Sequence, residues 1–162
     1  MKVSIDIQKR TIKYNNKSLS LYSKSSFEFI SDLWVNLGWN QKYSYTFSWL
    51  GRPIIQLPED IIRIQELIFK IKPTKIIETG IAHGGTSILF ASLIDMMKIK
   101  GKVIGIDIKI RKKNLKAIKK HPYSKYISLI EGSSIDDETF KKVKKHIKSH
   151  DKIFVFLDSN HT

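Results

Sequence analysis

From Pro58 onward one pattern recurs: a helical stretch, then a short apolar run that closes on an acid. The runs are Lys75 to Glu78, Lys102 to Asp107, Tyr126 to Glu131 and Lys152 to Asp158. Pro58-Glu59-Asp60 suits a helix start, because proline presets φ and acids favour the positive end of the helix dipole. Ile61, Ile64, Ile68 and Ile71 then share one face, and Lys72-Pro73-Thr74 ends that helix. Thr86 to Met97 is apolar almost all round and should be buried. Arg111 to Lys120 turns Leu115 and Ile118 inward, and Asp137 to Lys148 turns Phe140, Val143 and Ile147 inward. Strands alternating with helices imply right-handed crossovers and a parallel sheet, so the fold class is α/β. Ile153 to Leu157 reads as a strand buried on both faces. Ligands of open parallel sheets bind beyond the carboxyl ends of the strands, where these acids recur.

The region before Pro58 is less regular. Ser4 to Ile7 reads as a strand, Asn15-Asn16-Lys17 as a turn, and residues 26–37 as a helix with Phe27, Ile30, Leu33 and Trp34 at helical spacing. Residues 38–57 hold Trp39, Tyr43, Tyr45, Phe47 and Trp49 and read as an irregular aromatic cap. The expected organisation is an N-terminal extension and cap over 1–57 and a Rossmann-like domain over 58–162.

Composition bounds the function. The 162 residues carry a net charge of +14 and no cysteine, which excludes a disulfide scaffold, a thiolate metal site and a cysteine nucleophile. No secretory leader and no apolar run of membrane-spanning length is visible, so the expectation is a soluble cytoplasmic protein. The charge suggests nucleic acid by counterion release. Yet the four arginines are Arg10, Arg52, Arg63 and Arg111, and the rest of the basic residues are lysine. Readers of phosphate and guanine favour arginine, whose planar fork bonds in pairs. With 27 isoleucines alongside, the lysines read as compositional bias and a solvated coat, and a nucleic-acid partner is disfavoured.

The chemistry concentrates after the first run: Glu78-Thr79-Gly80-Ile81-Ala82-His83-Gly84-Gly85-Thr86-Ser87. A glycine-rich turn lets a ligand approach the backbone, and the following helix offers free N–H groups. Ala82 breaks the dinucleotide fingerprint, and no Gly-Lys-Ser/Thr follows to make a Walker loop. The bland alternative is a tight strand-to-helix connection. Asp107 ends the second run, 23 residues after Gly84, where an acid can accept from ribose hydroxyls; otherwise it is a helix cap or surface acid.

Glu78 to Ser87, Gly105-Ile106-Asp107, Ile130-Glu131-Gly132-Ser133-Ser134 and Leu157 to Thr162, taken in order, resemble class I S-adenosylmethionine-dependent methyltransferases. More narrowly they resemble the cephalosporin hydroxylase and rhamnosyl O-methyltransferase family, as do Trp49 to Pro53, Gln56 to Asp60, His121-Pro122 and Ser124-Lys125. The resemblance implies S-adenosylmethionine as cofactor. Gly80, Ala82 and Gly84 would lie against its methionine part, with Glu78 anchoring the ammonium directly or through water. Asp107 would hold the ribose, and Ser133 and Ser134 would sit near the adenine, unless those serines cap the helix that follows. Asp158 would bind a divalent ion, usually Mg2+, and act in catalysis with His161 as base or supporting group. His83 and His161 are equally readable as loop histidines. The acceptor would be a small-molecule hydroxyl, such as that of a sugar.

A class I methyltransferase sheet has seven strands, ordered 3-2-1-4-5-7-6, and this chain supplies four. The expectation is therefore a front half, ordered 3-2-1-4, with an apolar open edge at Ile153 to Leu157. A truncated coding sequence would explain this, as would a second copy or a complementing chain at that edge; either way the chain alone would turn over poorly. The alternatives are a non-catalytic nucleic-acid binder using the lysine faces of 109–120 and 141–152, or a hydroxylase, for which no iron site is visible.

Overall fold

The computed structural model describes residues 2–159. The chain divides into two compact units, Met1–Tyr43 and Ser44–Thr162.

In the first unit, β1 (Val3–Asp6), β2 (Thr11–Tyr14) and β3 (Lys17–Ser20) form an antiparallel meander. Tyr14 pairs with Lys17 across Asn15 and Asn16, both at positive φ, as a two-residue hairpin turn requires. The helix α1 (Lys24–Asn40) is longer than the periodicity predicted. Ser23 caps it by accepting from the Ser26 amide at 3.2 Å. Phe29 stacks on Tyr14 with ring centres 3.9 Å apart. The residues at helical spacing stay largely open, with Phe27 72% and Trp34 56% exposed.

A 3-10 turn at Tyr43–Tyr45 joins the units, and the second then forms a hairpin, β4 (Phe47–Trp49) and β5 (Arg52–Ile54). The aromatic segment is thus partly regular. Its two-residue turn places Leu50 and Gly51 at positive φ, and a leucine there hides the turn from sequence reading. The hairpin is anchored where Trp49 Nε1 donates to Ser92 Oγ at 3.0 Å.

There follow α2 (Pro58–Ile71), β6 (Lys75–Thr79), α3 (Gly85–Met96), β7 (Lys102–Asp107), α4 (Lys112–Lys120), β8 (Ile127–Glu131), α5 (Asp137–Lys144) and β9 (Ile153–Leu157). The four longer strands form one parallel sheet in the order β8-β7-β6-β9. Side chains alternate across it. Ile76 and Val103, with Phe154 and Phe156 of β9, pack on Ile64 and Ile68 of α2 and on Leu89, Phe90 and Ile94 of α3. Ile104, Ile106 and Ile130 face the other way, onto Val143.

Two expectations need correction. Helix α5 ends at Lys144, and Phe140 is 57% exposed rather than inward. β9 is covered on one face only: Val155 is 53% and Leu157 72% exposed on the face shared with the open cleft, and β9 is one of the two edge strands of the sheet among the described residues. Between β9 and α5 an apolar cleft of about 500 Å³ lies open, lined by Ile77, Phe140, Val143, Ile147, Val155 and Leu157.

Candidate functional site

Parallel β6, β7, β8 and β9 end on one edge, which carries Thr79, Asp107, Glu131 and Asp158. The connection from β6 to α3 sits on this edge. Three of its residues have left-handed backbone: Gly80 (φ 88), Ala82 (φ 45) and Gly84 (φ 83). Gly80 and Gly84 accept that conformation without steric cost, and close packing forbids a side chain at either. A Cβ on Gly80 would overlap the carbonyl of Asp158, and one on Gly84 would overlap the Ile118 side chain. Ala82 has no such freedom and must be held by its surroundings.

It is held from both ends. The Ala82 amide donates to Asp107 Oδ2 at 3.2 Å, beside the Ile81 amide at 2.9 Å. The Ala82 carbonyl accepts from Asn114 Nδ2 at 2.7 Å. One residue on, the His83 carbonyl accepts from the Arg52 guanidinium, with Nε at 3.0 Å. Asp107 Oδ1 also accepts from the Lys109 amide at 3.0 Å. Asp107 is thus both the organiser of the loop and, half-buried at its edge, a carboxylate with acceptor capacity to spare.

Beneath the loop, Glu78 is completely buried. Ser87, on the first turns of α3, donates its hydroxyl to Glu78 Oε2. Oε1 has no partner among the described residues, and neither has Thr79 Oγ1 beside it. Burial drives the Glu78 pKa up to about 8; the Ser87 bond opposes this, and the charges of Asp158 and Asp107 add to it. A buried carboxyl with one unused oxygen is ready to receive a donor, and a cationic donor would return it to its charged form.

Gly80, Asp107, Ser133 and Ser134 line a single open cleft of about 600 Å³, together with Thr79 and Ser159. Ser133 is half-buried and Ser134 exposed. Ser133 Oγ lies 3.5 Å from the Ile135 amide, and no side-chain cap bond holds the start of α5, where Asp136 is the cap residue. Glu78 lies behind the cleft wall rather than in it. Asp158, half-buried at the end of β9, accepts from Gln56 Nε2 at 2.6 Å, and its amide donates to the Thr79 carbonyl at 2.9 Å. His161, the other residue assigned to catalysis, lies outside the described residues. Among the described residues no three histidines or acids gather as a metal cluster would. His83 enters this network through its carbonyl.

Arg52, Gln56 and Asn114 were not singled out as site residues. Asn114 sits in Lys112-Lys113-Asn114-Leu115-Lys116 and reads as surface, yet it is 7% exposed. Its one signal is an uncharged amide amid lysines.

Comparison with known proteins places this geometry. The family model described as Rhamnosyl O-methyltransferase/CmcI matches residues 41–162. A rhamnosyl O-methyltransferase of Mycobacterium leprae (strain TN) is 27% identical over 127 residues, covering 78% of this chain and 52% of that protein. A solved apo structure of CmcI matches with a TM-score of 0.54 at 22% identity, over 73% of this chain and 47% of the other. A CmcI structure described as Mg-SAM matches with a TM-score of 0.53 at 22% identity, over 73% and 48%. At that identity the structural likeness speaks for the fold. The chain spans about half the length of these relatives. No helix among the described residues is long and apolar enough to cross a membrane.

Proposed function

The chain belongs to the Rhamnosyl O-methyltransferase/CmcI family, and from that premise we propose that it binds S-adenosylmethionine at the carboxyl edge of its sheet, as the cofactor-binding part of an O-methyltransferase. The observation that carries this reading is the pairing of a left-handed loop at Gly80, Ala82 and Gly84 with a buried oxygen of Glu78 below it that has no partner among the described residues. The residues fit the group. Gly80 lines the open cleft, so a ligand can approach the loop backbone there. Glu78 offers an acceptor for the ammonium, through water because it is sealed from the cleft. Asp107 keeps acceptor capacity for the ribose hydroxyls, and Ser133 and Ser134 face the space left for the adenine.

Bound there, the cofactor would supply an electrophilic methyl group for an acceptor oxygen. The chain's part is alignment, exclusion of water and removal of the acceptor's proton. Asp158, one of whose oxygens Gln56 fixes, is proposed to serve the acceptor side, and His161 is the proposed base. The acceptor is a hydroxyl of a sugar or similar small molecule. A divalent ion such as Mg2+ would find Asp158 as one ligand. A single carboxylate is an incomplete set, so no step is derived through the ion.

The sheet is proposed to be the front part of a larger one. The shares of relatives covered support this, as do the exposed Val155 and Leu157 on an outer strand. A strand laid along β9, from continuing or complementing chain, would pair its open edge, and the segment leading to it could cover these side chains.

Equilibrium dialysis with labelled S-adenosylmethionine tests the reading. Wild type should retain label, and Asp107→Ala should retain at least tenfold less. Equal retention by the two, or none by either, contradicts it.

A further inference from the structure

The loop that would face the cofactor does not hold its own shape. Ala82 sits in the left-handed region, where its Cβ crowds the backbone and the conformation must be held from outside. Asp107 secures the amide side of the loop, but the carbonyl side is gripped from elsewhere. Asn114, buried on α4, donates to Ala82 O. Arg52, half-buried on β5, donates to His83 O, and its NH2 group lies 3.4 Å from Asn114 Oδ1. The two side chains thus form one bridge over consecutive carbonyls. The hairpin behind Arg52 is itself seated: a Cβ on Gly85, the first residue of α3, would collide with the Pro53 carbonyl. His121 Nε2 lies 3.0 Å from the Leu50 carbonyl at the hairpin turn.

We propose that Arg52 and Asn114 are positioning residues that clamp the carbonyls of Ala82 and His83, presetting the loop for the methionine end of the cofactor. The proposal rests on the cofactor reading above for its ligand. Neither residue is assigned to touch the ligand. A preset loop spares the ordering cost at binding, so removing a clamp weakens capture of the methionine part and leaves the adenosine part alone. A guanidinium on a carbonyl is a charge-assisted bond, and a partly exposed one is expected to be worth about tenfold.

The test uses the full chain as wild type, Arg52→Ala, Arg52→Lys and Asn114→Ala. Amide exchange is followed without ligand at Gly84, whose N–H bonds Ile81 O at 2.7 Å, and at Ile77 and Glu78 within the sheet. The clamp predicts exchange about tenfold faster at Gly84 in both alanine variants, with Ile77 and Glu78 unchanged. Arg52→Lys, which keeps a cation and the stem, should fall between. Titrations then compare S-adenosylmethionine with adenosine. The first should weaken about tenfold in the alanine variants and the second stay within about twofold. Unchanged Gly84 exchange, acceleration shared with β6, or equal loss for both ligands overturns the proposal. If wild type binds neither ligand, the cofactor reading fails, and Gly84 exchange still decides whether the clamp exists.

Discussion

Ser87 donates its hydroxyl to Glu78 inside the protein, and the other carboxyl oxygen of Glu78 is left without a partner among the described residues. A strand and the helix after it thereby share a buried acid directly beneath the loop. With a pKa raised to about 8, Glu78 is mostly protonated in the folded state at neutral pH. The unfolded chain releases that proton near the ordinary value of 4.5.

Stability therefore falls as pH rises between those values, because only the folded state still holds the proton. The slope contributed by this group reaches about 1.4 kcal/mol per pH unit and vanishes above the folded pKa. Glu78→Gln carries no such proton. Urea unfolding at pH 5, 6.5 and 8 should show wild type losing stability relative to Glu78→Gln at each step. A constant difference between the two would show that Glu78 is ionised when folded.

Cofactor capture should reverse that protonation. An ammonium held near Glu78 favours the carboxylate, so binding at pH 7 should release up to about one proton. Calorimetry in two buffers of different ionisation enthalpy measures this directly, and Glu78→Gln should remove the buffer dependence. A release that survives in Glu78→Gln would place the proton elsewhere.

Gly80→Ala should be severe for its size. The new methyl group would meet the Asp158 carbonyl, in a backbone conformation that L residues rarely adopt. Both effects act together, and a loss of about 2–4 kcal/mol is expected from thermal or urea unfolding. A change under about 0.5 kcal/mol would mean that the loop and the end of β9 are not in contact.

The outer face of β9 makes the opposite forecast. Leu157 is 72% exposed, so Leu157→Lys should leave unfolding stability within about 0.5 kcal/mol while raising the concentration at which the chain aggregates. Light scattering and a melting curve on the same sample check both parts. A large loss of stability would show that Leu157 is covered in solution.

The legible part of this protein was the part written in apolar runs. Ile76, Val103, Ile130 and Phe154 announced β6 to β9 because buried parallel strands leave little choice of residue. Glu78 and Asp107 stood out because acids closed those runs. The hairpin escaped notice because Leu50 occupies a turn position usually held by glycine or asparagine. Helical spacing located α1, but periodicity marks a face without saying that anything covers it, and Phe27 and Trp34 stay exposed. Arg52 and Asn114 were illegible for a deeper reason. Their partners are backbone carbonyls aimed by the left-handed turn at Ala82, and no side-chain pattern encodes that direction.

S-adenosylmethionine is proposed to bind in one cleft, at the carboxyl edge of the sheet. Two-dimensional amide NMR of the labelled chain, titrated with that cofactor, tests it most directly. Saturable shifts are expected, confined to Gly80–Gly84, Asp107–Ile108 and Gly132–Ser134, with the lysine face of Lys112–Lys120 silent apart from Asn114. No shifts at millimolar cofactor, or shifts only along the lysine faces, would contradict it.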